Sequence, residues 1–465
     1  MPASIKSVHA MDRFPAVPSP EAALLLSLLH QLELSQWWSA DRIRAEQFAQ
    51  LDLLVDHATR TVPWYRERLA SRADGDTGTP ERWQQLPILR RGEVQQHGKT
   101  LRSSKPVPGH RNLRPVSTSG STGTSITVDT TESGRLMWMA VLLREHAWHR
   151  RDLSVKHVAI RIAGNRAAWP NGQQGADWGP PENVVYATGP SALLDIFTDT
   201  DRQLEWLLKQ DAGILLTFPS NALELAALCR VRGVRLPKLK ELRLMSEAID
   251  ASSKQLLRDT LNVPVTDCYS AQEVGYIALQ CPAHDHYHVQ AESAFVEIVD
   301  DDGRTCAPGT IGRVVVTPLH NFAMPLIRYE IGDYAEVGEP CSCGRGLPVL
   351  TRIMGRVRNM VTLPGGARHW PNLAGPFYRD IAPVVQHQIV QHDLEHVEAR
   401  LVVERPLSSD EEDTLRTLIL ERLGHAFRLS FSYPERIERS AGGKFEEYVS
   451  HVTAPFAAKP GPCPN

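Results

Sequence analysis

The sequence predicts an α/β protein: a large N-terminal domain of parallel-rich sheets with helices plus a β subdomain, then a small α+β domain. Three observations predict this. Short apolar runs alternate with amphipathic helical stretches through the middle of the chain, the pattern of parallel strands joined by crossover helices. From residue 293 the texture changes to "SAFVEIVDDDGRTCAPGTIGRVVVTPL", two strands joined through Asp-Gly and Pro-Gly turns. After "LPGG" at 363–366 the chain starts again in a strand, strand, helix, strand order over about a hundred residues.

Taken in order, residues 20–70 are helical and amphipathic, with Pro63 breaking one helix and opening the next. Residues 132–151 carry Leu136, Met139, Ala140, Leu143 and Ala147 on roughly one face and form a helix. The runs "KHVAIRI" (156–162), "AGILLTF" (212–218) and "KELRLMS" (240–246) are strands, and 219–231 and 251–261 are helices. In the small domain, "VQHQIVQHDLEHVEARLVVE" supplies two strands, "SSDEEDTLRTLILERLGHAF" a helix and "RLSFSYPERI" a further strand. The Pro-rich end, "TAPFAAKPGPCPN", reads as a frayed tail.

Composition narrows the function classes. The 465 residues leave room for two globular domains, 42% hydrophobic and 23% charged content is ordinary for a soluble enzyme, and the net charge of -3 gives no electrostatic case for nucleic acid or an anionic membrane. The apolar stretch at 22–34 is too short to span a bilayer. Seven cysteines without a regular framework fit a reducing compartment, so a cytoplasmic location is expected.

The stretch "STSGSTGTSITV" at 117–128 raises the question of chemistry. Gly120 and Gly123 remove side-chain bulk so that backbone N–H groups can face anionic oxygens, while Ser119, Ser121 and Thr122 add hydroxyl donors. The G-x-x-x-x-G-K-[ST] phosphate loop is absent, since Thr124 follows Gly123. Read alone, the stretch fits a polar turn as well as a phosphate cradle.

It does not stand alone. "TSGSTGT" (118–124) resembles the phosphate loop of the adenylate-forming superfamily of acyl-CoA synthetases, peptide-synthetase adenylation domains and luciferases. In the family's order follow "MSEAID" (245–250), similar to the adenine-side loop, and "DCYSAQEVG" (267–275), similar to the Tyr-Gly-x-x-Glu segment. "PLIRYEIGDYAEV" (325–337) resembles the Arg-Tyr-x-Thr-Gly-Asp segment, "GRVRNM" (355–360) the hinge and "SAGGKFEEYVS" (440–450) the loop of the catalytic lysine. "VPWYRERL", "LPILRR" and "CSCG" look most like the phenylacetate-CoA ligase branch.

The resemblance implies a large nucleotide- and acyl-binding domain over 1–355, a hinge at 356–358, a small mobile domain over 359–456 and a flexible tail at 457–465. Its implied function is ATP-dependent activation of a carboxylic acid as an acyl- or aryl-adenylate, pyrophosphate release and acyl transfer to CoA. An amine acceptor giving an amide is the alternative, and a catalytically silent binding protein a distant one. Lys444 would bridge the carboxylate and the α-phosphate, and Glu273 would coordinate Mg²⁺. Thr118, Ser119, Gly120, Ser121, Thr122 and Gly123 would bind phosphate. Ser246, Glu247, Ala248, Asp267, Tyr269, Asp333 and Arg356 would bind the nucleotide, Asp333 through the two ribose hydroxyls. Arg358 takes the hinge position, around which the small domain rotates between half-reactions.

On the same analogy, Met137, Trp138, Ala163, Gly164 and Phe218 are expected to wall an acyl pocket for an aromatic or medium-length apolar acid. Cys281, Cys341 and Cys343 with one imidazole would make a closed structural zinc set, for which the branch pattern selects His288 over His284 and His286; free cysteines with surface histidines are the other reading. The segment "GGARHWP" (365–371), on the acceptor side after the hinge, departs from the usual Arg-Gly-Val-Asn pattern and leaves CoA and an amine both open. A monomer or a homodimer is expected.

Overall fold

The computed structural model describes residues 4–9, 11, 14–69, 79–105, 107, 110, 113–118, 125–371, 373 and 377–452. Its frame is a 13-stranded mixed sheet. The strands that position the site are β1 (His157–Arg161), β2 (Ser191–Asp195), β3 (Ile214–Thr217), β4 (Glu241–Leu244), β5 (Val265–Ala271) and β6 (Gly275–Gln280). They continue as β7 (Tyr287–Val289), β8 (Ala294–Val299), β9 (Ile311–Pro318), β10 (Tyr329–Val337) and β11 (Val349–Arg356). The spatial order is β8-β9-β10-β11-β7-β6-β5-β4-β3-β1-β2. The pairs among β1 to β5 are parallel, and every pair from β5 outward through β6 to β8 is antiparallel.

The expected β subdomain is part of this sheet. Its strands β8 to β11 continue the parallel sheet because β7 pairs with both β6 and β11. Tyr287 and His288 lie opposite Leu350 and Val349, a pairing between segments some sixty residues apart.

Helices cover both faces of the parallel part, which is why its strands read as short apolar runs. On one face, α2 (Pro219–Arg232) and α3 (Ala251–Leu261) pack with Val158, Ile160, Leu215, Leu242 and Leu244 in one core. On the other lies α1 (Glu132–Trp148), capped by the Thr131 hydroxyl on Gly134 N. Its Ala140 and Val141 join Leu279, Ala291 and Leu347 in a second core.

After β11 and a 3-10 turn at Val357–Asn359 the chain forms a smaller unit with its own core. Strands β12 (Val384–Gln391) and β13 (His396–Val403) make an antiparallel pair, flanked in parallel by β14 (Arg428–Ser432) and β15 (Tyr448–Ser450). Helix α4 (Ser409–Leu423) covers this sheet, and a reciprocal capping box between Ser408 and Glu411 starts it. Among the described residues no helix is long and apolar enough to cross a membrane.

Candidate active site

Lys444 sits in the loop before β15, at the contact between the two units. The preceding Gly443 has φ +71°, and a Cβ there would come within 2.9 Å of Ile162 and 3.1 Å of Ile196 of the large domain. Glycine is thus required by backbone and by space. Two contacts hold the loop in place: Phe445 N donates to Glu247 Oε1 at 2.8 Å, and Arg439 reaches Ser220 Oγ at 2.8 Å and Glu224 Oε1 at 3.2 Å. Burial, and then Arg356, lower the Lys444 pKa, while Asp333, Glu247 and Glu446 oppose them. A partly desolvated ammonium therefore lies in the field of the residues that the sequence assigns to the nucleotide.

Asp333 on β10 lies opposite Arg356 on β11 in the sheet register, and their charged atoms are 3.5 Å apart. Tyr269 at the end of β5 donates from its hydroxyl to Asp333 Oδ2 at 2.8 Å. This leaves Oδ1 facing Arg356. Glu273 is buried in the turn between β5 and β6, where Tyr329 Oη donates to its Oε1 at 3.2 Å. Arg91 lies 3.6 Å from the same oxygen and donates from Nη2 to Thr118 Oγ1 at 2.7 Å. Arg91 thus joins the start of the hydroxyl-glycine loop to Glu273. It was not singled out as a site residue; the signal was its place in "LPILRR". Ser119, Gly120, Ser121, Thr122 and Gly123 lie outside the described residues.

Three assigned positions stand differently from expectation. Asp267 is turned inward: Tyr287 Oη donates to its Oδ2 at 2.7 Å and Cys268 N to Oδ1 at 2.8 Å, and burial pushes its pKa up to about 6. Both of its oxygens therefore already have partners inside the fold. Glu247 gives its two oxygens to Phe445 N and Ser220 N, so it docks the small domain. Phe218 is 3% exposed in the core under α2, on the sheet face away from α1, and cannot wall a pocket beside α1. Ser246 takes the left-handed φ of +72°, and Ala248 faces Gly355 beside the hinge segment.

Of the other acyl-wall residues, Met137 and Trp138 lie between α1 and the sheet. Trp138 stacks on Tyr276 of β6 with ring centroids 6.1 Å apart and an interplanar angle of 17°. Met137 packs beside Cys268 and Tyr276. Ala163 and Gly164 follow β1, and their backbone N–H groups both donate to Asp195 Oδ2. Arg358, in the connecting turn, is ion-paired with Glu446.

The Cys/His cluster is brought together from two segments. Donor atoms of Cys281, His286, His288 and Cys341 lie within 4.8 Å of one another. Cys281 Sγ is 3.9 Å from Cys341 Sγ, and His286 Nε2 is 3.0 Å from Cys341 Sγ. The sequence selected Cys343 and passed over His286; here His286 completes the close set and Cys343 lies beside it, its Sγ 3.4 Å from His288 Nε2. Cys281, His288 and Cys341 thus come together as expected, with His286 in the close set and Cys343 at its edge.

Residues 372–451 match the family model described as the CapK C-terminal domain. A phenylacetate-coenzyme A ligase of Thermus thermophilus is 25% identical over 455 residues, covering 91% of this chain and 99% of that protein. The chain is similar over nearly its whole length to a phenylacetate-CoA ligase, the branch that its motifs resemble. A solved 2-hydroxyisobutyryl-CoA ligase in the postadenylation state with 2-HIB-AMP overlays this phenylacetate-CoA ligase-like fold with a TM-score of 0.68 at 17% identity, over 90% of this chain and 91% of that one. The same ligase in the thioesterification state with 2-HIB-AMP and CoA overlays at 0.56 and 18% identity, with the same coverage.

Proposed function

We propose that this protein is an ATP-dependent carboxylate-activating ligase that forms an acyl- or aryl-adenylate with release of pyrophosphate and passes the acyl group to CoA. The observation that supports this most is Lys444, docked through Gly443 against the large domain in the field of Asp333 and Arg356. In the first half-reaction a substrate carboxylate oxygen bonds to the α-phosphorus and the bond to pyrophosphate breaks. Lys444 would neutralise both anions as they approach, an interaction strongest in the transition state.

Asp333, oriented by Tyr269, would accept from the ribose hydroxyls, with Arg356 beside it. The 118–123 loop would hold the phosphates and Ser246 and Ala248 the adenine side. Glu273, fixed by Tyr329 and Arg91, is the proposed carboxylate ligand of Mg²⁺, which on binding offsets phosphate charge. Rotation of the 359–456 domain about the 356–358 hinge at Arg358 would then withdraw Lys444 and admit the thiol, which attacks the acyl carbon as AMP leaves.

An amine acceptor is the second reading. The segment 365–371 departs from the branch pattern, and its Trp370 packs edge-on against Tyr334, next to Asp333, with centroids 5.3 Å apart. The Cys/His cluster has two thiols and two imidazoles close enough to enclose one tetrahedral zinc ion, and we assign it a structural role tying 281–288 to 341. The free cysteines among the described residues, together with ATP chemistry, favour a cytoplasmic location.

ATP–pyrophosphate exchange across a panel of carboxylic acids tests the reading. Exchange with at least one acid, followed by product only when CoA or an amine is added, is expected. No exchange with any acid would favour the silent-protein alternative.

A further inference from the structure

Between α1 and the sheet, behind the Trp138–Tyr276 stack, lies a layer of buried charge that the adenylation chemistry does not use. On β4, Leu242 and Leu244 point into the core under α2 and α3, while Glu241 and Arg243 point toward α1. Arg243 Nη2 donates to Glu145 Oε2 on α1 at 2.6 Å. Arg151 takes the other Glu145 oxygen at 2.9 Å and Glu241 at 2.8 Å. Both carboxylates are thus served by Arg151. Among the described residues Arg243 makes one hydrogen bond, although it is only 6% exposed and its Nε is buried without a partner. A buried guanidinium with an idle N–H is costly unless something else accepts from it.

The surroundings of Arg243 indicate what that is. Its electrostatic neighbours beyond Glu145 and Glu241 are Tyr276 and Cys268. Tyr276 carries the Trp138 ring on its face, and Trp138 remains 39% exposed. Two backbone distances give the depth. Arg243 precedes Ser246 by three residues along β4 and its extension, roughly 10 Å. Glu145 follows Trp138 by seven residues on α1, again about 10 Å. An acid whose carboxylate meets the nucleotide at the 246–248 loop and whose body lies against Trp138 would bring its far end to Arg243.

We propose that Arg243 is a specificity residue that donates a hydrogen bond to a neutral acceptor on the distal end of the acyl group. The substrate class is then an aromatic carboxylic acid carrying a ring hydroxyl, ether or carbonyl opposite its carboxylate. The substituent is neutral because Arg151 and Arg243 already balance Glu145 and Glu241, so a second carboxylate would bring an uncompensated charge into a buried layer. This inference rests on the carboxylate-activating reading above.

The test compares ATP–pyrophosphate exchange of the full chain with 4-hydroxyphenylacetic acid, 4-methylphenylacetic acid and 1,4-phenylenediacetic acid. The hydroxyl acid is expected to exceed the methyl acid in kcat/KM on the order of tenfold or more, and the diacid to be poor. In Arg243→Met the hydroxyl-to-methyl ratio should fall to about one; a merely structural role would lower both rates and leave the ratio. If Arg243→Met does not fold, the double variant Arg243→Met with Glu145→Gln, which removes both charges, carries the same expectation. A wild-type preference for the methyl acid, or an unchanged ratio in the variant, overturns the proposal. No exchange with these acids or any other refutes the ligase reading itself and takes this inference with it.

Discussion

Arg358, in the turn that joins the two units, is ion-paired with Glu446, two residues beyond Lys444. The connecting segment is thereby tied to the loop that delivers the lysine, and both side chains are about four-fifths buried. Breaking this pair in Glu446→Gln should weaken docking of the small domain by about 1 kcal/mol. Adenylate formation should slow roughly fivefold, while thioester or amide formation from a supplied acyl-adenylate should not slow. Single-turnover measurements of the two half-reactions check this, and equal slowing of both would contradict it.

Glu447 faces the same interface from the other side. It lines a cleft together with Glu224, Arg230, Arg379 and His387. Burial, then Asp250, Glu247 and Glu224, raise its pKa to about 8. A carboxyl with a raised folded pKa contributes no penalty below its unfolded value of 4.5, and stability is lost as pH rises from there to about 8. His387, held down to about 4 by burial, acts in the opposite direction, losing stability as pH falls from 6.5. Glu447→Gln should therefore raise the melting temperature at pH 8 by several degrees and leave it nearly unchanged at pH 4.5. Thermal melts of both proteins across this range measure the difference.

Purified protein should hold about one equivalent of zinc if the four clustered donors act together. Cys281→Ser, Cys341→Ser and His286→Ala should each lose it, and Cys343→Ser should retain it. Metal analysis separates this set from the one that the branch pattern implies, in which Cys343 is essential and His286 is not.

Much of the frame was legible in the sequence, and the reasons are local. Helix α1 follows from apolar residues at helical spacing after the Thr131 cap, and β1, β3 and β4 from apolar runs bounded by turns. What was not legible depends on which way a side chain faces or on distant pairing. Phe218 follows a strand covered on both faces, where apolar character gives no direction, and it fell on the α2 side. Asp267 lies two residues before Tyr269 on β5 and so on the same face of the strand, yet its carboxyl is taken by Tyr287 where that of Asp333 takes the Tyr269 hydroxyl. The joining of the β subdomain to the main sheet rests on the pairing of β7 with β11, which no local pattern encodes. Arg91 needed its neighbours Thr118 and Glu273 brought together before its role could be read.

The most direct measurement is the pair of half-reactions in Lys444→Ala. The account predicts that ATP–pyrophosphate exchange falls by on the order of 10²–10³, while the same variant, given a synthetic acyl-adenylate, still transfers the acyl group to its acceptor. Exchange at the wild-type rate in Lys444→Ala would contradict it.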